Sequence, residues 1–298
     1  MTSILCIGDA MIDVIVKMKS DLNLNSDTLS DISMHGGGAA ANTATWLAHL
    51  GVATSFAGRV GADIAGANFH SELERFGVKH ENPPIEGAKT GTVVVLVDKV
   101  GNRTMFPDSG ANSGLNASDL PVLDGFHGVF LSGYSLFNPV STRGVLEIVK
   151  TIKKLGIPIF FDVASVGTMS AFGREKAISL IDGFSGIFMN EDEARFISNV
   201  SESQGLEAIF ESLSDLAPLL VIKRGAKGAV AKVPGEEPIE KPAIEIEVLD
   251  TTGAGDAFAA GFLASWLKSG DLGAALSSAI DVASLCVGTI GARPRVIP

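Results

Sequence analysis

Short apolar runs alternate with longer helical segments along this chain, and this alternation constrains the fold more than any other feature. The apolar runs suit strands covered on both faces, and they occupy residues 3–8, 53–57, 128–132, 157–162, 185–189 and 219–223. Helical segments lie between them, at residues 39–50, 64–76, 142–155, 175–181 and 205–213. Pro139 and Gly156 flank the third of these segments, as start and stop signals do. This order predicts an α/β fold with a doubly wound, mostly parallel sheet.

Two stretches interrupt this order and predict a second, smaller sheet. Residues 12–18 alternate between apolar and polar, and residues 92–98 and 103–106 flank a turn at Val100–Asn102, as the strands of a hairpin do. No crossover helix follows either stretch, so we expect these strands to form a small β-sheet lid on the main sheet. The predicted lid segments are about 12–36 and 89–107.

The length suits one large domain, residues 1–298, or two modest ones, and the composition favours a protein inside the cell. At 46% hydrophobic residues, the chain of 298 residues can bury a core without disulfides. Cys6 and Cys286 lie in apolar stretches without metal-site spacing, which indicates a reducing compartment. The longest apolar run, 257–267, is shorter than the ~20 residues of a membrane span, and the start of the chain does not look like a signal peptide. We therefore expect a cytoplasmic protein.

The charge of the chain argues against nucleic-acid partners. Acidic residues outnumber basic ones by 34 to 23, which gives a net charge of −11. The chain has no cluster of lysines and arginines, and so lacks the positive surface that nucleic-acid binding requires. We expect a small molecule as the partner, with no role for nucleic acid or membrane.

The run DTTGAGD, which spans residues 250–256, carries the strongest chemical signal. Gly253 and Gly255 remove side-chain bulk where the chain turns into an apolar helix, and the free N–H groups at such a helix start bind anions. They can hold the charge that develops on a transferring phosphoryl group. Asp256 falls in the first helical turn, where it can accept the proton of an attacking hydroxyl. The alternative is that Asp256 only complements the helix dipole.

The string DTTGAGDAFAAGF resembles the C-terminal signature of the PfkB, or ribokinase-like, family of carbohydrate kinases, and the resemblance extends over essentially the whole chain. It implies transfer of a phosphoryl group from ATP, with Mg²⁺, to a hydroxyl of a sugar or sugar-like molecule. It implies Asp256 as the catalytic base, with Gly253, Ala254 and Gly255 as the anion hole and Thr252 beside the nucleotide. The family also suggests a homodimer that pairs through an exposed lid edge.

A glycine motif near the start of the chain, GGGAAAN at residues 36–42, resembles the substrate-binding motif of that family. Gly37 and Gly38 allow close backbone approach, and Asn42 offers both a donor and an acceptor. The motif also fits the Gly-x-Gly-x-x-Ala pattern of dinucleotide-binding proteins, but that pattern needs a strong strand directly before it, and residues 31–35 form a weak one. The resemblance makes Asp13 a second substrate contact. Its carboxylate suits a diol, although it fits a solvated strand end as well.

Two further elements resemble the nucleotide-binding parts of the family. Asn190 and Glu193 match an Asn-x-x-Glu element that acts through Mg²⁺ and its waters, and they also match a helix capping box; both interpretations can hold together. The turn after a late strand contains Lys223, Gly225 and Gly228 and resembles the turn that reaches the nucleotide phosphates. Lys223 fits a solvated lysine equally well, and Gly228 fits a need for backbone shape.

The chain also departs from ribokinases proper, which puts ribose in doubt as the substrate. Ala39 replaces a lysine of the glycine motif, and Ser132-Gly133-Tyr134 replaces a segment with a glutamate. Arg103, on the lid hairpin, can meet an anionic or polyhydroxy substrate or be a solvated strand arginine. Arg295 stands where relatives that bind K⁺ have a small hydroxyl residue, so we expect K⁺ activation to be weak or absent.

Other classes of protein remain as alternatives. The chain contains no Gly-Lys dipeptide, which excludes a P-loop kinase, and protein-kinase signatures are missing. A nucleoside kinase of the same fold is the main alternative. The other is a non-catalytic relative that senses a metabolite, against which the intact Asp256 argues, since a sensor needs no base.

Overall fold

The computed structural model describes residues 2–295, which form two sheets with helices packed on the larger one. The strands are β1 (Ser3–Ile7), β2 (Met11–Met18), β3 (Ser30–Gly37), β4 (Ala53–Ala57), β5 (Gly91–Val97), β6 (Arg103–Asp108), β7 (Gly128–Ser132), β8 (Ile159–Asp162), β9 (Gly186–Asn190), β10 (Leu220–Lys223), β11 (Ala229–Lys232) and β12 (Ile239–Lys241). The helices are α1 (Ala39–His49), α2 (Ile64–Arg75), α3 (Gly133–Leu136), α4 (Thr142–Lys154), α5 (Val166–Phe172), α6 (Arg174–Ile181), α7 (Glu191–Ser198), α8 (Leu206–Ser212), α9 (Ala254–Ser269) and α10 (Leu272–Val287).

The large sheet is mostly parallel, as predicted. Its order is β12-β11-β10-β9-β8-β7-β1-β4, and only β11 and β12 run antiparallel to their neighbours. The central strands are buried on both faces, which explains their continuous apolar sequences. In β1, Ile4 and Cys6 lie in one core with α1, α9 and α10, whereas Leu5 and Ile7 lie in a second core with α3 to α8. The loops that line the main cleft follow the carboxyl ends of these strands.

The second sheet has the order β3-β2-β5-β6 and covers these carboxyl ends as a lid. The predicted second sheet is therefore confirmed. The prediction that residues 31–35 are a weak strand is wrong, because β3 includes them and pairs antiparallel to β2 along its whole length. β3 is an edge strand with exposed Ile32 and Met34, so backbone pairing rather than burial forms it. Since β3 belongs to the lid and not to the parallel sheet, it gives no support to a dinucleotide-binding fold.

The helices bear out the sequence pattern closely. The five predicted segments correspond to α1, α2, α4, α6 and α8. Within residues 2–295, no helix is both long and apolar enough to cross a membrane.

Candidate active site

A cleft of about 1680 Å³ separates the lid from the carboxyl ends of the parallel strands. Pockets for one small ligand usually measure roughly 300–1,000 Å³, so this cleft has room for two ligands side by side. The start of α9 lies between its two ends. All residues predicted at the sequence level for catalysis, together with Asp13, Gly38, Asn42, Arg103, Asn190, Glu193 and Lys223, line it.

Asp256 lies in the first turn of α9 and contacts the glycine motif at the other end of the sequence. Its Oδ2 accepts a hydrogen bond of 2.8 Å from Asn42 Nδ2. Burial raises the pKa of Asp256 to about 7; the bond from Asn42 opposes this rise, Asp162 adds to it and Lys223 opposes it. A carboxylate with a pKa near neutral is suited to accept a proton from a hydroxyl. The structure thus places the predicted base directly beside the glycine motif.

Gly253 is required where the chain enters α9. It has a φ of +77°, and a Cβ there would lie 2.5 Å from the Cβ of Ala292. The first N–H groups of a helix have no partner within the helix, and those of Gly255 and Asp256 lie at the start of α9. The N–H of Ala254, one of the predicted donors, donates to Thr251 O at 3.3 Å and is therefore partly engaged.

At the lid end, the glycine motif packs directly against two aspartates. A side chain at Gly38, whose φ is +89°, would collide with the carbonyl of Asp9, and one at Gly37 would collide with the carboxylate of Asp13. Burial raises the pKa of Asp13 to about 6, against the opposing charges of Arg293 and His35. Among the described residues, the Asp13 carboxylate has no hydrogen-bond donor. It is therefore available to a hydroxyl of a bound molecule.

At the opposite end of the cleft, Asn190 and Glu193 form the predicted capping box of α7. Asn190 donates to both carboxylate oxygens of Glu193, each at 2.8 Å, and Glu193 N donates back to Asn190 Oδ1. Glu193 is 2% exposed, and burial raises its pKa. Within residues 2–295, no group of three or more acidic, histidine or cysteine side chains is placed to hold a metal ion. The pair Asn190 and Glu193 still fits Mg²⁺, because this ion is commonly bound through only one or two carboxylates together with phosphates and water.

Lys223 is a largely buried cation that is paired with a carboxylate. Its Nζ donates to Asp162 Oδ2 at 2.6 Å, and a Cβ at Gly255 would lie 3.2 Å from that Nζ. Burial disfavours the charged lysine, but the carboxylates of Asp162 and Glu193 outweigh it and raise the lysine pKa. Lys223 therefore places a positive charge beside the start of α9.

Gly225 and Gly228 shape the turn that follows Lys223. Their φ angles are +56° and +89°, and a side chain at Gly228 would collide with the carbonyl of Lys241. The requirement at Gly228 is therefore one of backbone shape. Beside this turn, exposed apolar side chains line the cleft and form a surface suited to a flat nucleobase: Ile244, Ile246, Val248, Leu249 and Ile290.

Arg103 joins the lid to the DTTGAGD run. Its Nη1 donates to Thr252 Oγ1 and its Nη2 to Asp250 Oδ1, both at 2.6 Å. Burial works to raise the pKa of Asp250, but hydrogen bonds from Thr252, Gly291 and Arg103 outweigh it and hold the pKa at about 2. Arg103 is thus an exposed strand arginine that is paired with Asp250, and through it Thr252 contacts the lid.

The sequence analysis missed two charged residues of this site. Asp162, at the end of β8, holds Lys223, and only its position after an apolar run could have indicated it. Arg293 is 7% exposed and contacts the glycine motif, whereas Arg295, which we predicted to occupy a cation site, is exposed. The turn after α10 directs the guanidinium of Arg293, two residues earlier, inward, and the cation-site interpretation of Arg295 stays a prediction.

Comparison with known proteins agrees with this geometry. Residues 1–298 match the pfkB family of carbohydrate kinases. The ATP-dependent ribose-1-phosphate kinase of Halopiger xanaduensis is 31% identical over 261 residues, which cover 87% of this chain and 82% of that protein. Among solved structures, adenosine kinase from Sinorhizobium meliloti superposes with a TM-score of 0.88 at 24% identity, covering 99% of this chain and 96% of the other. Arabidopsis thaliana ribokinase complexed with ribose and ATP gives a TM-score of 0.80 at 25% identity, with 98% and 95% covered.

This chain therefore belongs to the pfkB family of carbohydrate kinases. The predicted family, the ribokinase-like fold with its β-sheet lid, and the predicted class of enzyme are confirmed.

Proposed function

We propose that this cleft transfers the terminal phosphoryl group of ATP to a hydroxyl of a sugar or sugar-like molecule, and that Asp256 accepts the hydroxyl proton. The observation that carries this proposal is the placement of Asp256. It lies at the start of a helix, 2.8 Å from an amide of the glycine motif, in a cleft with room for two ligands. The apolar surface around residues 244–249 is proposed to hold the adenine, and the lid end the acceptor.

The residues around Asp256 support each part of the transfer. Asp13 accepts hydrogen bonds from the acceptor, and Asn42 holds Asp256 in place. The N–H groups at residues 253–255 and the ammonium of Lys223 stabilise the charge on the transferring group. These groups are fixed before the substrate binds, so they need little reorganisation during the reaction. Closure of the lid would keep water from competing as acceptor.

Mg²⁺ is expected with ATP, and Asn190 and Glu193 are the residues that would hold it, through its waters. When bound, the ion neutralises charge on the phosphates. Because Asn190 donates to both oxygens of Glu193, the carboxylate has a fixed orientation before any ion arrives. Lys223, Gly225 and Thr252 are proposed to contact the nucleotide phosphates.

A nucleoside is the second candidate substrate, and the inner face of the lid favours it. Alternating residues on β2 and β5 face opposite sides of the lid sheet, and those on the side of Asp13 are mostly apolar. They are Ile15, Val93, Val95 and Val97, with Met105 from β6. A free sugar presents hydroxyls in most directions, whereas a nucleobase can stack against such a surface. Arg103 is proposed to contact the acceptor when a ligand breaks its contact with Asp250.

The outer face of the lid supports the proposed homodimer. In the strand alternation this face is opposite Asp13. It also carries polar residues such as Thr104 and Asp108, but most of its side chains are apolar: Val14, Val16, Ile32, Met34, Val94, Leu96 and Phe106. Ile32, Met34 and Phe106 are each more than half exposed in the single chain. A contiguous exposed apolar surface of this kind marks an interaction site. Light scattering of Met34→Lys should report monomers where the parent protein is a dimer, and a monomeric parent would refute the proposal.

The proposed location is the cytoplasm. Cys6 and Cys286 are free and buried, as expected for a protein that folds under reducing conditions.

The function is tested by ADP release with Mg-ATP against a panel of sugars, sugar acids, sugar phosphates and nucleosides. We expect one class to give turnover that Asp256→Asn lowers by roughly 10² or more, the size of a general-base contribution. The exposed Asp215→Asn is the matched control and should keep full activity. Activity that survives in Asp256→Asn would refute the role of this residue. No turnover with any class, together with tight ATP binding, would instead favour a metabolite sensor.

A further inference from the structure

Arg293 lies in the turn after α10 and is almost completely buried beneath the glycine motif. Its Nη1 donates to Glu72 Oε2 on α2 at 2.6 Å, and its Nη2 donates to the carbonyl of Gly37 at 3.0 Å. Its Nε donates to Asn42 Oδ1 at 3.2 Å, and the guanidinium lies 5.1 Å from the centre of the Phe69 ring. All three nitrogens of the fork therefore have partners on different elements, which is what a buried charge requires.

The bond from Arg293 decides which way the Asn42 amide faces. A guanidinium can only donate, so it must meet the oxygen of the amide. The NH₂ group of Asn42 is then directed to the other side, where it donates to Asp256 Oδ2 at 2.8 Å. A flipped amide would place its NH₂ group against the N–H of Arg293, so that two donors face each other. It would also place its oxygen against the carboxylate of Asp256, so that two acceptors face each other. One rotation would thus lose both bonds.

This orientation matters because Asp256 has few other donors. A donated hydrogen bond favours the ionised carboxylate, whereas burial and negative neighbours disfavour it. The titratable groups that face Asp256 from the surrounding elements are Asp13 on β2, Tyr134 on α3, Asp162 on β8, Lys223 on β10, Cys286 on α10 and Arg293 itself. Among these groups the cations are Lys223, which donates to Asp162, and Arg293, which donates elsewhere. The amide of Asn42 is therefore the direct donor to Asp256.

We propose that Arg293, held by Glu72, is a positioning residue that fixes the Asn42 amide so that it donates to the carboxylate of Asp256. The inference rests on the proposed function of Asp256 as the base. It differs from a purely structural role, in which Arg293 would only tie the C-terminal turn to α2. In the structural case its loss would lower stability and leave the protonation of Asp256 unchanged.

The decisive variant is Arg293→Lys, because it keeps the positive charge and removes the fork that meets Asn42 and Glu72 together. The readout is the pKa of Asp256, measured by NMR titration of protein labelled with ¹³C at the aspartate carboxyls, with the signal assigned through Asp256→Asn. This measurement needs no turnover, so it separates failure of the positioning role from failure of the proposed function. We expect the pKa to rise by roughly one unit, the size of one lost hydrogen bond to a charged acceptor. The acidic limb of kcat/KM should move by the same amount.

Two further variants establish the route. Asn42→Ala should raise the Asp256 pKa as much, and adding Arg293→Lys to it should cause no further rise, since coupled residues are not additive. Glu72→Gln should cause a smaller rise in the same direction.

Arg59→Lys is the matched control, since Arg59 pairs with buried Asp119 at 2.8 Å outside the cleft; it should lower thermal stability and leave the Asp256 pKa unchanged. An unchanged pKa in folded Arg293→Lys, or a full additional rise in the double variant, would overturn the proposal.

Discussion

Gly253→Ala tests the start of α9 with a magnitude that follows from the structure. Gly253 is left-handed, with φ at +77°, and a side chain of any size costs roughly 1–2 kcal/mol in that conformation. The new Cβ would also lie 2.5 Å from the Cβ of Ala292, and forcing a methyl group into packed surroundings costs roughly 1–3 kcal/mol. We therefore expect the free energy of unfolding to fall by roughly 2–5 kcal/mol. The displaced residues include the neighbour of Arg293, so activity should fall as well.

Gly270→Ala is the matched control at the other end of the same helix. Gly270 has a similar φ of +66°, but a Cβ added there would meet no atom of residues 2–295 within 4 Å beyond its own chain neighbours. It should lose only the conformational part, roughly 1–2 kcal/mol, and keep its activity. Urea unfolding at constant slope measures both changes. Equal destabilisation of the two variants would refute the argument that the turn at residues 291–293 packs against the start of α9.

The remaining predictions concern the lid, pH and K⁺. Arg103→Gln should lower the free energy of unfolding by at most about 1 kcal/mol, because its ion pair with Asp250 is partly exposed. The same variant should raise the rate of amide hydrogen exchange in β6. The control is Lys99→Gln, which removes an exposed pair with Asp21 and should change neither quantity. Burial lowers the pKa of His80 to about 4, below its ordinary 6.5, so the unfolded chain binds more protons between these values. The contribution of His80 to stability should therefore be complete above pH 6.5 and be lost towards pH 4, and His80→Gln should remove this component of the pH profile measured by urea titration; a profile that the substitution leaves unchanged would exclude His80 as its source. Turnover should rise less than several-fold in K⁺ relative to Na⁺, because the late loop already carries the buried charge of Arg293; a larger rise would contradict this.

Continuous apolar strands and helices with one apolar side were predictable from the sequence, whereas an edge strand formed by backbone pairing and a helix that is apolar on all sides were not. β1 and β7 are continuous apolar runs because both of their faces are covered, and α4 has one apolar side. β3 was not recognised as a good strand because an edge strand can be polar and still pair with its neighbour. α10 was not predicted because small and apolar residues lie on all of its sides, which gives no clear helical period; α9 packs against one side.

The candidate site likewise contains residues that the sequence could predict and one residue that it could not. Asp13, Asn42 and Asp256 lie in short strings whose glycines have a physical function, and those strings could be found in one sequence. Arg293 could not, because nothing near it marks it as buried. Its partners, Gly37, Asn42 and Glu72, are more than two hundred residues away along the chain. A residue whose role depends on such distant partners becomes visible only once the chain is folded.

The position of Arg293 also has a consequence for truncation of the chain. Every strand and helix described above ends at or before Val287, whereas the guanidinium that contacts Asn42 lies beyond them. A chain truncated after Val287 would therefore keep the sequence of all these elements and lose the group that orients the Asn42 amide. The architecture of the kinase and the setting of its proton acceptor thus depend on different parts of the same chain.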